Sequence, residues 1–420
     1  MPTTVNTTRA HKVIARCLRL ASFTEETGSI RRTFLSPPMR ACHQEIAQWI
    51  EPLGVTIRID AAGNLRGLYP AARPNAPRLL IGSHLDTVPN AGAYDGTLGV
   101  VLAVALLEHL QGRRLPFGIE VVGFSEEEGV RFGTPFIGSR ALVGRLDGEL
   151  LDTQDMHGRS VRGAIEAFGL NLQEIPEAKL EDGTLGYVEF HLEQGPVLEK
   201  MNQPLAAVEA IAGQSRREFR FMSRANHAGT TPMNLRHDAI AAAAEWILKV
   251  ERMAQDIPGL VATVGQIEAT PGAANVIAAE ARLSLDVRHG SDEIRKDAVA
   301  NLIRLAQEIA VRRGLSARQS SVLKQSTVAM DPFFIAEIEK AIVATGCKPY
   351  RMMSGAGHDA MILAEKIPTA MIFLRTPGGI SHDPAESVTG EDIEKAIECG
   401  LHLLDQLAAS PQFHKRTIRA

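Results

Sequence analysis

Apolar and polar positions alternate in three rhythms along this chain. Residues 11–22 and 39–50 repeat their apolar positions every three to four residues, which predicts amphipathic helices. Val55–Ile59 alternates with period two and is followed by the turn Asp60-Ala-Ala-Gly-Asn64, which predicts a strand and a bend. The third rhythm is an apolar run that ends abruptly in acids, histidines or glycines. It occurs in Arg78-LLIGSHLD, Gly118-IEVVGFSEEEG, Gly186-YVEFHLEQG and Thr369-AMIFLRTPGGISHD. Such runs read as buried strands whose polar residues fall at or just past their C-terminal ends. In open α/β sheets, ligands bind outside those ends. Gly99-VVLAVALLEHL, between the first two runs, reads as a buried helix and completes a βαβ unit.

The texture changes between Gly213 and Gln325. A strand (Arg217–Met222) precedes Asn226-HAGTTPM and an Ala-rich helix (His237–Met253). Strands at Val261–Ile267 and Val276–Arg288 and a helix from Asp292 to about Arg313 follow. This pattern predicts a small α+β domain of βαββαβ, ferredoxin-like type, inserted into the first domain. The expected organisation is an α/β catalytic domain over 1–212 and 326–420 with an inserted domain over 213–325.

Composition narrows the function classes. The chain has 420 residues, 45% apolar and 22% charged, which suits a globular protein of two or three domains. Lys+Arg total 45 against 49 Asp+Glu, a net charge of −4. No basic surface for nucleic acid or anionic membrane is expected. The four cysteines form no CxxC pair, and no signal peptide or spanning segment is read, so a cytoplasmic enzyme is the default. Motifs for a serine nucleophile elbow, a P-loop and a dinucleotide fold are absent.

Candidate chemistry sits at the four strand ends. His84 and Asp86 lie two apart on one strand face, where the acid can fix the imidazole tautomer; they also read as ordinary loop polar residues. Asp95 reads as a bridging metal ligand or as a helix N-cap. Glu126, Glu127 and Glu128 are three adjacent carboxylates that repel unless cations neutralise them. One would bind metal and a neighbour would act as general base; the alternative is a solvated acidic turn. His191 and His382 end the third and fourth runs, and a lone histidine there is commonly structural. Taken together, His, Asp, Glu, His, His suits two divalent ions sharing one carboxylate, with nitrogen and oxygen donors fitting Zn, Mn, Co or Ni. Arg288 reads as a clamp for a substrate carboxylate or as a surface ion pair. Gly355-Ala356-Gly357-His358 precedes a helix and reads as an anion-holding loop or a shaped turn.

GSHLDTVPNAGAYDGTLGV, SEEEGVRFG, HLEQGPVLE, NHAGTTPM, PGAANVI, SGAGHDAM and GISHDPAE occur here in that order. Together they resemble the dinuclear-metal amidohydrolases of the aminoacylase/carboxypeptidase superfamily, over about residues 10–408. The matching branch holds N-carbamoyl-L-amino acid hydrolases, β-ureidopropionases and allantoate amidohydrolases. The resemblance implies a zinc-peptidase-like mixed-sheet catalytic domain with an inserted lid and dimerisation domain. It implies His84, Asp95 and His191 on one metal and Asp95, Glu128 and His382 on the other, manganese or zinc favoured. Glu127 would be the base, Asp86 would orient His84, and His227 would stabilise the oxyanion, in its own or the partner subunit. Gln194, Gln214, His227, Asn275, Arg288, Gly355, Ala356, Gly357 and His358 match substrate-side positions.

Ala278 stands where the family often has Pro after Asn275-Val-Ile. Gly213-Gln214-Ser-Arg216 and TGSIRRTFLSP look allantoate-like. The implied reaction is hydrolysis of a ureido C–N bond in a small carboxylate substrate, allantoate first and N-carbamoyl-L-amino acids second. Aminoacylase, dipeptidase and non-catalytic binding readings stand behind these. His191 in HLEQG, where peptidases of the superfamily usually place a carboxylate, speaks against a peptidase.

Overall fold

The structure, a computed structural model, describes residues 8–415. Residues 1–7 and 416–420, the outer ends of the expected catalytic domain, lie outside the described residues. The described residues divide into two compact units: those up to Glu209, Met330–Met352 and those from His358 onward form the first, Ala210–Ala329 and Met353–Gly357 the second.

The first unit is built on a mixed sheet. Its strands run in the order Thr56–Ile59, Leu65–Tyr69, Gly118–Phe124, Arg78–His84, Thr184–Leu192, Thr369–Leu374 and Leu205–Ile211. The four runs singled out in the sequence are the contiguous middle of this order, and they pair in parallel. Their outer neighbours pair antiparallel. Parallel strands share one direction, so all four C-terminal ends fall at one sheet edge. The register places His84 beside Phe124 and His191 beside Phe373. These strands are buried on both faces, which is why they read as continuous apolar runs rather than alternations.

The helix Thr97–His109 is apolar all round and buried from Thr97 to Leu107, as a core helix must be. Helices Arg9–Ala21 and Gly390–Ala409 pack on it. Arg9–Ala21 is started by Thr8, whose hydroxyl accepts the His11 N–H, and Gly390–Ala409 by Thr389, which accepts from Asp392. Inside the sheet, Arg66 and Glu120 form a pair: Arg66 Nε donates to Glu120 Oε1 at 2.6 Å with both side chains buried. Among the described residues, no helix is long and apolar enough to cross a membrane.

The second unit has a five-stranded antiparallel sheet. Ile267–Thr270, Glu280–His289, Gly213–Met222 and Ser316–Gln325 lie side by side, and Val261–Thr263 also pairs with Glu280–His289. Helices Ala239–Asp256 and Asp292–Arg312 contribute Trp246, Val250, Leu302 and Ile309 to a core shared with Phe219, Phe221, Leu283 and Leu285. The Trp246 indole N–H is satisfied by the Leu302 carbonyl at 2.9 Å. Two expected strands are each interrupted. Val261–Ile267 breaks before Ile267, around Gly265, and Val276–Arg288 breaks between Ile277 and Glu280. Glycine weakens a strand interior. Two further strands carried little sequence signal. Ser316–Gln325 is a mostly exposed edge strand set by its pairing with Gly213–Met222. Leu205–Ile211 is rich in alanine, a weak strand former.

Candidate active site

Three of the loops at the parallel strand ends converge on Asp95. Asp95 is buried, and its two carboxylate oxygens face different partners. Oδ1 lies 3.3 Å from His191 Nε2 and 3.8 Å from His84 Nε2. Oδ2 lies 3.2 Å from His382 Nε2, and His382 Nε2 is 3.6 Å from Glu128 Oε1. His84, Asp95 and His191 form one group of converging ligand atoms, and Asp95, Glu128 and His382 form another. Asp95 does not cap the helix that follows: Gly96 is the N-cap residue and has no side chain to bond.

The histidine tautomers are set by the backbone. His84 Nδ1 lies 3.0 Å from the Asp86 carbonyl and His191 Nδ1 lies 3.0 Å from the Leu192 carbonyl. A carbonyl can only accept, so each Nδ1 carries the proton and each Nε2 offers a lone pair to the centre. The two Nε2 atoms are 3.5 Å apart. Gly96, with φ +61°, makes the approach possible: a Cβ there would lie 2.4 Å from the His84 ring.

Asp86 acts differently from the role expected of it. Its main-chain carbonyl is the nearer partner of His84, with the carboxylate at 3.5 Å. The carboxylate accepts the backbone N–H groups of Glu127 at 2.9 Å and Glu128 at 3.0 Å. It fixes the loop that bears both acids.

The acidic triplet is not a solvated turn: Glu126 and Glu127 are buried and Glu128 is nearly so. Burial, reinforced by Glu128, Asp359 and Asp86 against the opposing pull of His84, pushes Glu127 well above the ordinary carboxylate range. Burial also lifts Glu128 to about 7, aided by Asp95 and Asp86 and opposed by His84 and His382. Burial alone would raise Asp95 too, but the His382 hydrogen bond and the nearby imidazoles hold it below its usual value. Buried acids, of which Glu127 and Glu128 resist ionisation, facing imidazole lone pairs and free of thiols, are a donor set that fits divalent cations.

The remaining expected site residues fall in two places. Gln194 and His358 belong to the first unit. Gln194 Nε2 lies 3.2 Å from both Asp95 oxygens. His358 is buried, its ring 4.4 Å from that of His191 and 5.7 Å from that of Phe373. Gln214, His227, Asn275, Arg288, Gly355, Ala356 and Gly357 belong to the second unit. There, Gln214 and Arg288 are register partners on neighbouring strands. Asp286 joins them, accepting from Gln214 Nε2 at 2.5 Å and from Arg288 Nε at 3.0 Å and Nη2 at 3.2 Å. Arg288 Nη1 donates to the Gly355 carbonyl at 2.5 Å. Arg288, Asp286, Ser354 and Gly355 help to line a cavity of about 500 Å³. His227 is exposed, and its Nδ1 accepts the Gly229 N–H at 3.0 Å, which leaves Nε2 as an outward donor. His227 pairs with Val276, next to Asn275, in a two-stranded ribbon.

Some residues of the site escaped the sequence reading. Glu189 is fully buried, accepting from Ser83 Oγ at 2.8 Å and from the Ala360 N–H at 3.0 Å. Its signal was present: an acid two residues before His191, on the same face of an apolar strand. Asp286 lies inside the expected strand Val276–Arg288 and Glu386 ends GISHDPAE, and neither carries a local signal of its own.

The description "peptidase family M20/M25/M40" belongs to the family model that matches residues 80–406. The chain is 34% identical to allantoate deiminase 2 of Glycine max, over 94% of this chain and 89% of that protein. It is 37% identical to N-carbamoyl-L-amino acid amidohydrolase of Geobacillus stearothermophilus, over 91% of this chain and 95% of that protein. Among solved structures, an amidase of the hydantoinase/carbamoylase family from Burkholderia multivorans matches with a TM-score of 0.89 at 29% identity, over 96% of this chain and 98% of that one. The mixed α/β fold expected from the motif resemblance is the fold observed.

Proposed function

Because the chain belongs to peptidase family M20/M25/M40, we propose that it hydrolyses the C–N bond of a ureido group with the help of divalent cations, allantoate being the leading substrate. The observation that carries this reading is the division of the Asp95 carboxylate between the His84–His191 pair and the Glu128–His382 pair. Two cations, manganese or zinc favoured over cobalt or nickel, would be held by His84, Asp95 and His191 and by Asp95, Glu128 and His382. When bound, they supply Lewis-acid polarisation of the ureido carbonyl and a lowered pKa for water in the site.

The chain's own groups do the rest. Glu127 receives a proton from the attacking water on its carboxylate and delivers it to the departing nitrogen. Asp86 fixes Glu127 for both transfers by holding its backbone N–H. The His227 Nε2–H stabilises the oxyanion as the carbonyl carbon becomes tetrahedral. Arg288 clamps the substrate carboxylate, with Gln194, Asn275 and the Gly355–Gly357 segment completing the contacts. His358 supports the His191 ring from behind rather than touching substrate. One water adds across the C–N bond, ammonia leaves, and the carbamate formed loses carbon dioxide to free the amine.

Gln214 favours allantoate. One of its two amide N–H donors is taken by Asp286, and its carbonyl is an acceptor suited to the N–H donors of a second ureido group. The second reading is N-carbamoyl-L-amino acid hydrolysis, which uses the same centre and is favoured by the bacterial amidohydrolase relative. The second unit would serve as lid and homodimer contact. Four cysteines without a disulfide suit a cytoplasmic setting.

The test is ammonia release by the manganese-loaded protein, with allantoate and a panel of N-carbamoyl-L-amino acids side by side. A kcat/KM for allantoate well above every carbamoyl substrate is expected. The reverse order selects the second reading, and no ammonia from any ureido compound overturns both.

A further inference from the structure

Glu386 lies four residues past His382 and is buried. One of its oxygens, Oε1, accepts two backbone N–H groups, those of Tyr94 and Asp95, each at 3.0 Å. The other, Oε2, accepts the Ser381 hydroxyl at 3.2 Å. Ser381 Oγ in turn accepts from Gln194 Nε2 at 3.1 Å, and that amide reaches both oxygens of Asp95. The result is a closed ring from the Asp95 main chain through Glu386, Ser381 and Gln194 back to the Asp95 carboxylate. It ties together the loops that leave the strands Arg78–His84, Thr184–Leu192 and Thr369–Leu374.

Two further observations show that the ring is built rather than incidental. Gly92 makes room for it: a Cβ at that position would lie 2.5 Å from both Cβ and Oε1 of Glu386. In addition, Gln194 and His382 hold left-handed backbones, with φ of 58° and 55°. Such a backbone is strained for an L-residue and persists where the surroundings over-determine it. Glu386 itself belongs to neither group of converging ligand atoms.

We propose that Glu386 is a positioning residue which, through Ser381 and Gln194, sets the orientation of the Asp95 carboxylate and so the affinity of both cation positions. The inference rests on the reading that Asp95 bridges two cations. Glutamate suits the task because one oxygen must accept two N–H groups while the other accepts a hydroxyl. Alanine there leaves two buried N–H groups without a partner.

The experiment is competition for zinc between a chelating dye and the metal-stripped full-length protein, with the melting temperature of the stripped protein measured in parallel. Glu386→Ala is expected to weaken zinc affinity about 10–100-fold. Glu386→Gln keeps the Oε1 acceptor but loses the oxygen that takes the Ser381 hydroxyl, so Glu386→Gln and Ser381→Ala should both fall between wild type and Glu386→Ala. A Glu386→Ala protein that melts earlier but binds zinc as wild type does overturns the inference, because a merely structural role predicts that result. Should Glu386→Ala fail to fold, Ser381→Ala decides alone: weaker binding supports the ring, and wild-type affinity overturns it. Asp95→Asn separates the two levels. Wild-type zinc affinity in Asp95→Asn sinks the bridging reading, whereas loss there with wild-type affinity in Glu386→Ala sinks only the role of Glu386.

Discussion

The Asp86 carboxylate accepts the backbone N–H of Glu127 at 2.9 Å, so one acid of the centre holds the main chain that carries another. Its second oxygen holds Glu128 in the same way. Asn at this position has only one acceptor oxygen, so Asp86→Asn leaves one of the two buried N–H groups unpaired. The expected stability loss is about 1–3 kcal/mol. Cation affinity should fall about 10–100-fold, since Glu128 is a ligand and its loop is loosened. Urea denaturation and metal titration check the two effects, and wild-type values in both would remove the clamp.

Glu127→Gln separates proton transfer from metal holding. The amide keeps the size of the side chain but cannot take a proton from water. Metal content is expected to match wild type while kcat drops about 10²–10⁴-fold. Surviving turnover would assign the base elsewhere.

Arg288→Ala tests the carboxylate clamp. The guanidinium is half-buried and already oriented by Asp286 and the Gly355 carbonyl, so it meets a substrate carboxylate without reorganising. Loss of a charge-assisted hydrogen bond is worth about 2 kcal/mol, roughly a thirtyfold rise in KM with kcat less affected. A substrate amide in place of the carboxylate should show no such rise. An unchanged KM would reduce Arg288 to a structural ion pair.

His43 gives the fold a pH dependence apart from the metal centre. It sits in the helix Pro37–Ile50, its ring 6.0 Å from Phe168, and neither ring nitrogen has a hydrogen-bond partner among the described residues. Burial, with the charges of Arg32 and Arg40 adding to it, lowers its pKa from 6.5 to about 3. Between those values the unfolded chain binds a proton that the folded chain refuses. This contribution is therefore fully present above about 6.5 and is lost as pH falls toward 3. Near pH 5 the loss is roughly 2 kcal/mol. His43→Leu should flatten the difference in denaturation midpoint between pH 7 and pH 5, and an equally steep curve in the variant would exclude His43 as the cause.

Much of the fold was legible because buried parallel strands leave a strong mark. Runs such as Ile119–Phe124 and Tyr187–Leu192 are mostly apolar, buried on both faces, and end in chemistry. The common direction of Arg78–His84 and Gly118–Phe124 follows from the crossover helix Thr97–His109 between them. The ligand set was legible for the same reason: His84, Glu128, His191 and His382 each stand at or just past such an end. What escaped depends on partners distant in the chain. Glu386 bonds to Asp95 across 291 positions, and nothing local to GISHDPAE announces it. The Asp86 carboxylate's choice of the Glu127 backbone over the His84 ring is likewise a matter of loop geometry. Ser316–Gln325 is a strand because Gly213–Met222 offers it hydrogen bonds, not because its own residues alternate.

The central claim is that one carboxylate, Asp95, holds two cations. The most direct measurement is the metal stoichiometry of the wild-type and Asp95→Ala proteins, loaded identically with manganese or zinc, desalted and analysed by elemental mass spectrometry. The account predicts two ions per wild-type chain and loss of both in the variant. A wild-type chain that holds a single ion or none, or an Asp95→Ala chain that still holds two, would contradict it.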